Sequence, residues 1–482
     1  MIVLAALYAL ATAMLVVHGL RLLGLALGRL RTRPAPEAAE PTAWPRVCVQ
    51  LPVYNEPEVV ERAIAAAAAL DYPAMEIQVL DDSTDATTAR AARAVRQLRA
   101  SGVEIVHLQR DSREGFKAGA LAAGMDRTDA PLFAVFDADF VPAPDTLRRL
   151  VAPLVANPAL AFAEGRWAHL NRDASPLTRA QGALLDLHFA VEQAGRQRLG
   201  RFLPFNGTAG VWRREAIEQA GGWRGETLAE DLDLALRVWA QGGHGHMVEQ
   251  LAVPAELPTH LGAWRRQQAR WAEGMAGVLR LHRARLLGAR QRLSHRLWAL
   301  LALTAPLAYP ALLAMLVLHP TLAVLHALGR GPGETFFAAL GVGWLGLLGA
   351  VVAHVVAQRA TRTERPPGAG GLWRRAADIA LGLAAPVALA LTGARAVARG
   401  LSRRPGVFER TPKGGVREAA KPEWGESVLA VYALGGSVAL AGVGAWLALA
   451  FQIVFAATLV ASAWAPAHRQ RRRRSTPIPA GA

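Results

Sequence analysis

The sequence predicts an α/β domain with a mostly parallel sheet, inserted between transmembrane α-helices. Three observations carry that reading. Apolar residues crowd residues 2–27 and several blocks after residue 297, whereas residues 45–290 have the mixed composition of a water-facing domain. Within that middle stretch, short apolar runs alternate with helix-like stretches, the pattern of strands joined by crossover helices. Over all 482 residues, 52% are hydrophobic and the mean hydropathy is +0.20, too apolar for a soluble chain of this length.

Along the chain, residues 3–27 form a first apolar block long enough for one membrane crossing. No basic residue precedes it, and Arg29, Arg31 and Arg33 follow, the reverse of the charge order in a secretory signal. Residues 1–29 therefore read as a retained anchor with its start outside and its end inside. Residues 30–45, rich in Pro, Ala and Glu, read as a linker, and the α/β domain is placed at residues 46–290.

In that domain an apolar run from Arg46 to Tyr54 precedes a helical stretch from Pro57 to Leu70. A second run, Glu76 to Leu80, stops at Asp81-Asp82-Ser83. Then come a helix over Thr87 to Arg99, a run from Val103 to His107, a helix near Gly115 to Met125, and a run from Leu132 to Phe136 that stops at Asp137. The polar clusters fall just after the carboxyl ends of the runs, where ligands bind in open α/β sheets.

After residue 290, residues 291–398 read as transmembrane or interfacial helices and 399–427 as a cytosolic loop. Residues 428–465 read as a transmembrane hairpin turning near Gly442 and Gly444, and 466–482 as a basic cytosolic tail. The block 376–398 is basic on both flanks yet long enough for only one crossing, so a single span and a re-entrant segment both stay open, with roughly five or six crossings in all.

The net charge of +16 sits in basic flanks of the apolar blocks, the pattern of cytoplasmic loops, and no aromatic-and-basic recognition motif accompanies it. Nucleic acid is therefore not expected as a partner. Cys48, the single cysteine, rules out an internal disulfide and a cysteine metal site.

The polar clusters carry the chemistry. Asp137-Ala138-Asp139 supplies two carboxylates that point the same way in an extended segment, a pattern that suits Mg2+ or Mn2+, although alone it reads as a solvated turn. Asp81 and Asp82 at the same sheet edge would repel that pair without a cation or hydrogen-bonding ligand between them, and a nucleotide with its metal would fill that gap. Glu230-Asp231 precedes a helical repeat of Leu232 and Leu236, so it is either an acidic first turn or the source of a general base. Gln267, Arg270 and Trp271 share a helix-like stretch, where indole faces suit stacking and the Arg fork suits phosphate, and where an interfacial Trp and Arg compete as an explanation. Lys117 reads as a phosphate contact or a surface lysine, Asn206-Gly207-Thr208 as a loop, and His188 as a packed histidine.

In order, Asp81-Asp82, Asp137-x-Asp139, Glu230-Asp231 and Gln267-x-x-Arg270-Trp271 resemble the D, D, D, QxxRW signature of processive family 2 glycosyltransferases. The resemblance runs from about Pro45 to Arg280. It includes Gln50 to Glu56, Val79 to Asp85, Lys117 to Leu121 and Phe205 to Arg213, stretches similar to cellulose-synthase-like proteins of the mannan and glucan synthase branches and their bacterial relatives.

That likeness implies a GT-A catalytic fold, inversion at the anomeric carbon, and a GDP-mannose or UDP-glucose donor. It also implies a polysaccharide acceptor and a setting in membrane lipid, with a bacterial inner membrane and a cytoplasmic catalytic domain expected. By the same likeness Asp231 is the base, and Asp81, Asp82, Lys117 and Asp137 contact the donor. Asp139, with Asp137, holds the metal, while Glu230, Gln267, Arg270 and Trp271 hold diphosphate and acceptor. Ala229 stands where the family carries Thr or Val, outside the reacting groups. Phe408, Thr411 and Lys413 resemble part of a gating loop of bacterial cellulose synthases. A lipid acceptor and a non-catalytic membrane scaffold stay open as alternatives.

Overall fold

The structure, a computed structural model, describes residues 1–361, 371–402 and 424–463. Its centre is a seven-stranded sheet in the order β3-β2-β1-β4-β6-β5-β7. The strands are β1 Val47–Val53, β2 Met75–Asp81, β3 Ile105–Gln109, β4 Leu132–Val135, β5 Leu160–His169, β6 Gly210–Arg213 and β7 His244–Ala255. Every neighbouring pair is parallel except those of β6, which runs antiparallel to both β4 and β5. This is the mixed α/β architecture the sequence predicts.

The first four strands match the apolar runs, with one displacement. The third run was expected from Val103, but β3 begins at Ile105. Gly102 takes φ +91 after helix Ala86–Ala100, and the Val103 N–H donates to Leu98 O at 3.1 Å, so the helix C-cap consumes the start of the run. β5, β6 and β7 had no assigned run.

Side chains alternate between two buried layers, as a sheet covered on both faces requires. Val47, Val49, Leu51 and Val53 of β1 pack with Val60, Ile64 and Ala67 of helix Val60–Ala68. Cys48, Phe133 and Val135 face the other way, among Leu121, Trp212 and Leu234. Cys48 is a fully buried free thiol whose burial pushes it far up from its ordinary value.

The parallel strands β1, β2 and β4 end at one rim of the sheet. Because β6 is reversed, it begins at that rim, which delivers residues 206–209 beside the residues that follow β4. Helix Glu230–Ala240 and the long helix Leu261–Gly288 then flank the rim. Asp233 accepts from Arg237 Nε at 2.8 Å and bonds His282 Nε2, which ties the first helix to the second. A Cβ on Gly274 would lie 2.8 Å from Ala229 Cβ, so the two elements also meet backbone to side chain at the residue before Glu230.

Among the described residues, four helices are long and apolar enough to cross a membrane: Ile2–Arg31, Ala305–Ala327, Glu334–Ala360 and Trp424–Gly442. A fifth crossing arises only if Leu372–Ala388 and Ala390–Leu401, bent by 51°, count as one span. The bend follows Pro386, which lacks the N–H that a continuous helix needs. The segment left open between a span and a re-entrant element is thus a bent helix pair, a shape that suits either reading. The turn placed near Gly442 and Gly444 lies there, with Gly444 at φ +71 before helix Trp446–Ala463. Helix Ile2–Arg31 meets Glu334–Ala360 at glycines: a Cβ on Gly19 would collide with the Gly346 backbone, and one on Gly349 with the Gly19 backbone. Phe408, Thr411 and Lys413, and the tail 466–482, lie outside the described residues.

Candidate active site

Lys117 is the centre of the rim. It lies in helix Phe116–Met125, whose N-cap Gly115 takes φ +70. Its Nζ donates to Asp137 Oδ1 at 2.6 Å and to Gly207 O at 2.8 Å, and lies 3.8 Å from Glu230 Oε1. Burial alone would lower the Lys117 pKa, but Asp137, Glu230 and Asp231 outweigh it and raise it. The Asp137 N–H donates to Thr208 Oγ1 at 2.8 Å, which locks the start of Asp137-Ala138-Asp139 to the loop before β6.

Asp231 touches the same loop. A Cβ built on Gly207, which takes φ +87, would sit 2.7 Å from Asp231 Oδ2, so only glycine fits there. Burial and the neighbouring Glu230 charge raise Asp231 to about 7, against the pull of the Leu232 N–H and Lys117. A carboxylate near neutrality can accept and release a proton at physiological pH. Asp137, Lys117, Glu230 and Asp231 are therefore one cluster. Asp139, 8% exposed, follows at the end of the same turn and leads into Phe140.

The first acidic pair divides. Asp82 forms a bidentate ion pair with Arg110, Nε to Oδ1 at 2.9 Å and Nη2 to Oδ2 at 2.5 Å. Arg110 Nη2 also donates to Phe116 O at 3.0 Å, beside Lys117, so Asp82 borders the cluster through Arg110. Asp81 does not join it. Its carboxylate accepts from the Ser83 N–H at 2.9 Å and bonds His107 Nε2 at 2.9 Å. Burial would raise Asp81, yet the bonds from His107 and Ser83 lower it, so it braces the turn after β2.

Gln267, Arg270 and Trp271 lie on helix Leu261–Gly288. The Trp271 ring stands 6.0 Å from that of Trp167, which packs 5.3 Å from Phe140 and 5.2 Å from Phe189. Phe140 directly follows Asp139, so the aromatic cluster adjoins the acidic turn. Gln267, one turn before Trp271, shares its helix face.

Sequence reasoning missed three features of this site. Glu164, 1% exposed on β5, accepts from the Asn206 N–H at 2.7 Å and from Asn206 Nδ2 at 3.0 and 2.9 Å. Burial raises its pKa well above the usual carboxylate range, and Asp231 adds to the rise. The signal available was a lone acid inside the apolar stretch Leu160 to Trp167. Arg110 carried no signal, and Asn206 had been read as part of a loop. His188, half-buried, is placed between Asn206 and Glu192.

Residues 45–274 match the family described as Glycosyltransferase like family 2. A probable glucomannan 4-beta-mannosyltransferase 7 of Oryza sativa subsp. japonica is 45% identical over 243 residues, 49% of this chain and 42% of that protein. Glucomannan 4-beta-mannosyltransferase 7 of Arabidopsis thaliana is 43% identical over 244 residues, covering 49% and 44%. The chain thus spans less than half the length of these relatives. A solved structure of mannosyltransferase PcManGT from Pyrobaculum calidifontis, in complex with GDP-Man and Mn2+, aligns over 79% of this chain and 98% of that one, at 21% identity and TM-score 0.48.

Proposed function

We propose that this chain, which carries a glycosyltransferase family 2 domain over residues 45–274, is a membrane-integrated, inverting hexosyltransferase that extends a β-linked polysaccharide. The observation that carries the reading is the convergence of Lys117, Asp137, Glu230 and Asp231 on the 206–208 loop, with Asp231 at about 7.

In this reading Asp231 accepts the proton of the acceptor hydroxyl as that oxygen attacks the anomeric carbon. The bond from that carbon to the donor phosphate breaks on the opposite face, the nucleoside diphosphate leaves, and the configuration inverts. Lys117, held charged by three carboxylates, faces the developing negative charge. Trp271 and Trp167 offer flat apolar faces to an acceptor sugar, and Arg270 a fork for phosphate. Asp82 and Arg110 form the donor side of the rim.

Asp137 and Asp139 fit a divalent cation. They are hard oxygen donors on one turn, and an ion held there would complete its shell with diphosphate oxygens. Bound there, Mg2+ or Mn2+ would neutralise charge on the leaving diphosphate.

The relatives' names, glucomannan 4-beta-mannosyltransferases, support mannose, hence GDP-mannose ahead of UDP-glucose as the donor. Those relatives are plant proteins and lend no support to the expected bacterial inner membrane. The apolar helices support a membrane setting of unspecified origin.

The test is to incubate membranes carrying the full chain with labelled GDP-mannose and UDP-glucose. Large product sensitive to a β-mannanase is expected from GDP-mannose. Product found only in the organic extract would replace the polymer acceptor with a lipid, and no product from any donor would leave the scaffold reading.

A further inference from the structure

The 206–208 loop holds the site together, since Gly207 O anchors Lys117, Thr208 Oγ1 anchors Asp137, and Gly207 abuts Asp231. Its own support comes from outside the reacting groups. Asn206 is clamped on two sides: Glu164 accepts its N–H and Nδ2, and His188 Nε2 lies 2.7 Å from its Oδ1. The other His188 nitrogen, Nδ1, is 3.1 Å from Glu192 Oε2. Glu192 in turn pairs with Arg196 at 3.5 Å and with Arg21.

Arg21 belongs to helix Ile2–Arg31, a candidate membrane span, and its side chain is 4% exposed. A buried cation is costly unless it is paired. His188 and Glu192 lie in the π-helical segment His188–Gln193, between helices Pro176–Leu187 and Ala194–Arg198. Such widened turns occur often at functional sites. Burial would raise Glu192, yet Arg21, Arg196 and His188 hold it well below the usual carboxylate range, so the acid stays charged and binds both neighbours strongly.

We propose that Arg21, Glu192 and His188 are positioning residues for sugar transfer: the first membrane helix, through this line of contacts, sets the place of Asn206 and so the loop on which Lys117, Asp137 and Asp231 converge. The proposal rests on the transferase reading. It gives the N-terminal helix a part in the chemistry beyond anchoring. Loosening the line shifts Gly207 O and Thr208 Oγ1 and misplaces the base and the lysine. The Asp82–Arg110 pair at the end of β2 is left in place, so the turnover rate falls by more than donor binding weakens.

The test uses the full chain in lipid nanodiscs with three variants: His188→Ala, the pair Arg21→Met with Glu192→Gln, which removes the Arg21–Glu192 ion pair while Arg196 keeps its bond to Gln193 Oε1 at 2.6 Å, and Arg21→Lys. Two readouts are taken. Donor kinetics should show kcat down on the order of 10²-fold in the first two with a clearly smaller rise in KM for donor, and kcat largely restored in Arg21→Lys. Combining the first two should add no further loss, because they cut the same line. Hydrogen exchange over residues 205–209 should quicken in both. Unchanged exchange in variants that keep the wild-type elution profile, or losses that multiply on combination, overturn the proposal. Quickened exchange in a chain whose wild type transfers no sugar would overturn the transferase reading and leave the coupling standing.

Discussion

If Asp231 is the base, transfer should depend on pH through an ionisation near 7 that Asp231 shares with its neighbour Glu230, and the structure gives the sign of each change to it. The base works deprotonated, so kcat/KM should rise with pH, by about tenfold per unit below the inflection, and level off above it. At pH 5 only about one site in a hundred carries the active form. Burial and Glu230 raise the pKa, and Lys117 lowers it. Glu230→Gln should therefore move the inflection below 7, and Lys117→Met should move it above. Asp231→Asn should lower the plateau by 10²- to 10⁴-fold, roughly the worth of a positioned general base.

Stability carries the opposite sign. The unfolded Asp231 titrates near 4 and the folded one at about 7. The folded chain thus keeps a proton that the unfolded chain gives up, and stability falls as pH rises from about 4 through about 7. Asp231→Asn should flatten part of that slope, with a remainder of the same sign from Glu164, also raised by burial. The assay is labelled-sugar incorporation in detergent or nanodiscs from pH 5 to 9, paired with thermal melts. A flat kcat/KM from pH 5.5 to 8, or an Asp231→Asn variant within tenfold of wild type, would refute the reasoning.

Three further outcomes follow from the geometry. Gly207→Ala places a left-handed alanine against Asp231 Oδ2; a cost of about 1–2 kcal/mol should appear as a lowered melting temperature, and the displaced base as a kcat drop on the order of 10²-fold. A Gly207→Ala enzyme with normal kcat would show that the loop and the base move independently. Arg110→Met removes the bidentate partner of Asp82 and should weaken donor binding by roughly tenfold, about 1.4 kcal/mol, with a smaller change in kcat; titration calorimetry with nucleoside diphosphate reads it directly. Chelation with EDTA should abolish transfer, and Mg2+ or Mn2+ should restore it. Activity that survives exhaustive chelation would remove the metal role from Asp137 and Asp139.

The legible half of the sheet was the half built from the first four strands. β1, β2 and β4 are dense runs of Val, Leu and Phe closed by Asp, Asn or Pro, and burial on both faces leaves a run that needs no partner to be recognised. β5 and β7 were illegible for the converse reason. β5 includes Glu164, Gly165 and Arg166, and β7 includes two histidines, a glutamate and a glutamine, so neither shows a clean period. What makes them strands is their pairing with each other across about 80 residues of chain, including two shifts of register.

The site divides in the same way. Local clusters such as Asp137-x-Asp139 and Glu230-Asp231 announce themselves, because adjacent carboxylates are conspicuous. Partners joined by folding do not: nothing in the sequence links Asp82 to Arg110, or Glu164 to Asn206. Asp81 is a further case: it adjoins Asp82 in sequence, yet alternation along the strand end sends the two carboxylates to different protein neighbours.

The glycine crossing of helix Ile2–Arg31 on Glu334–Ala360 bears on how far the N-terminal segment can be exchanged. A foreign span of matching length and greasiness would satisfy the bilayer. It would not seat where Gly19 lets the two backbones touch, nor bring a guanidinium to Glu192 two residues further on. The segment is in that sense a keyed part rather than a tether, and chimaeras built by swapping leader-like sequences should fail at this joint even when they insert well.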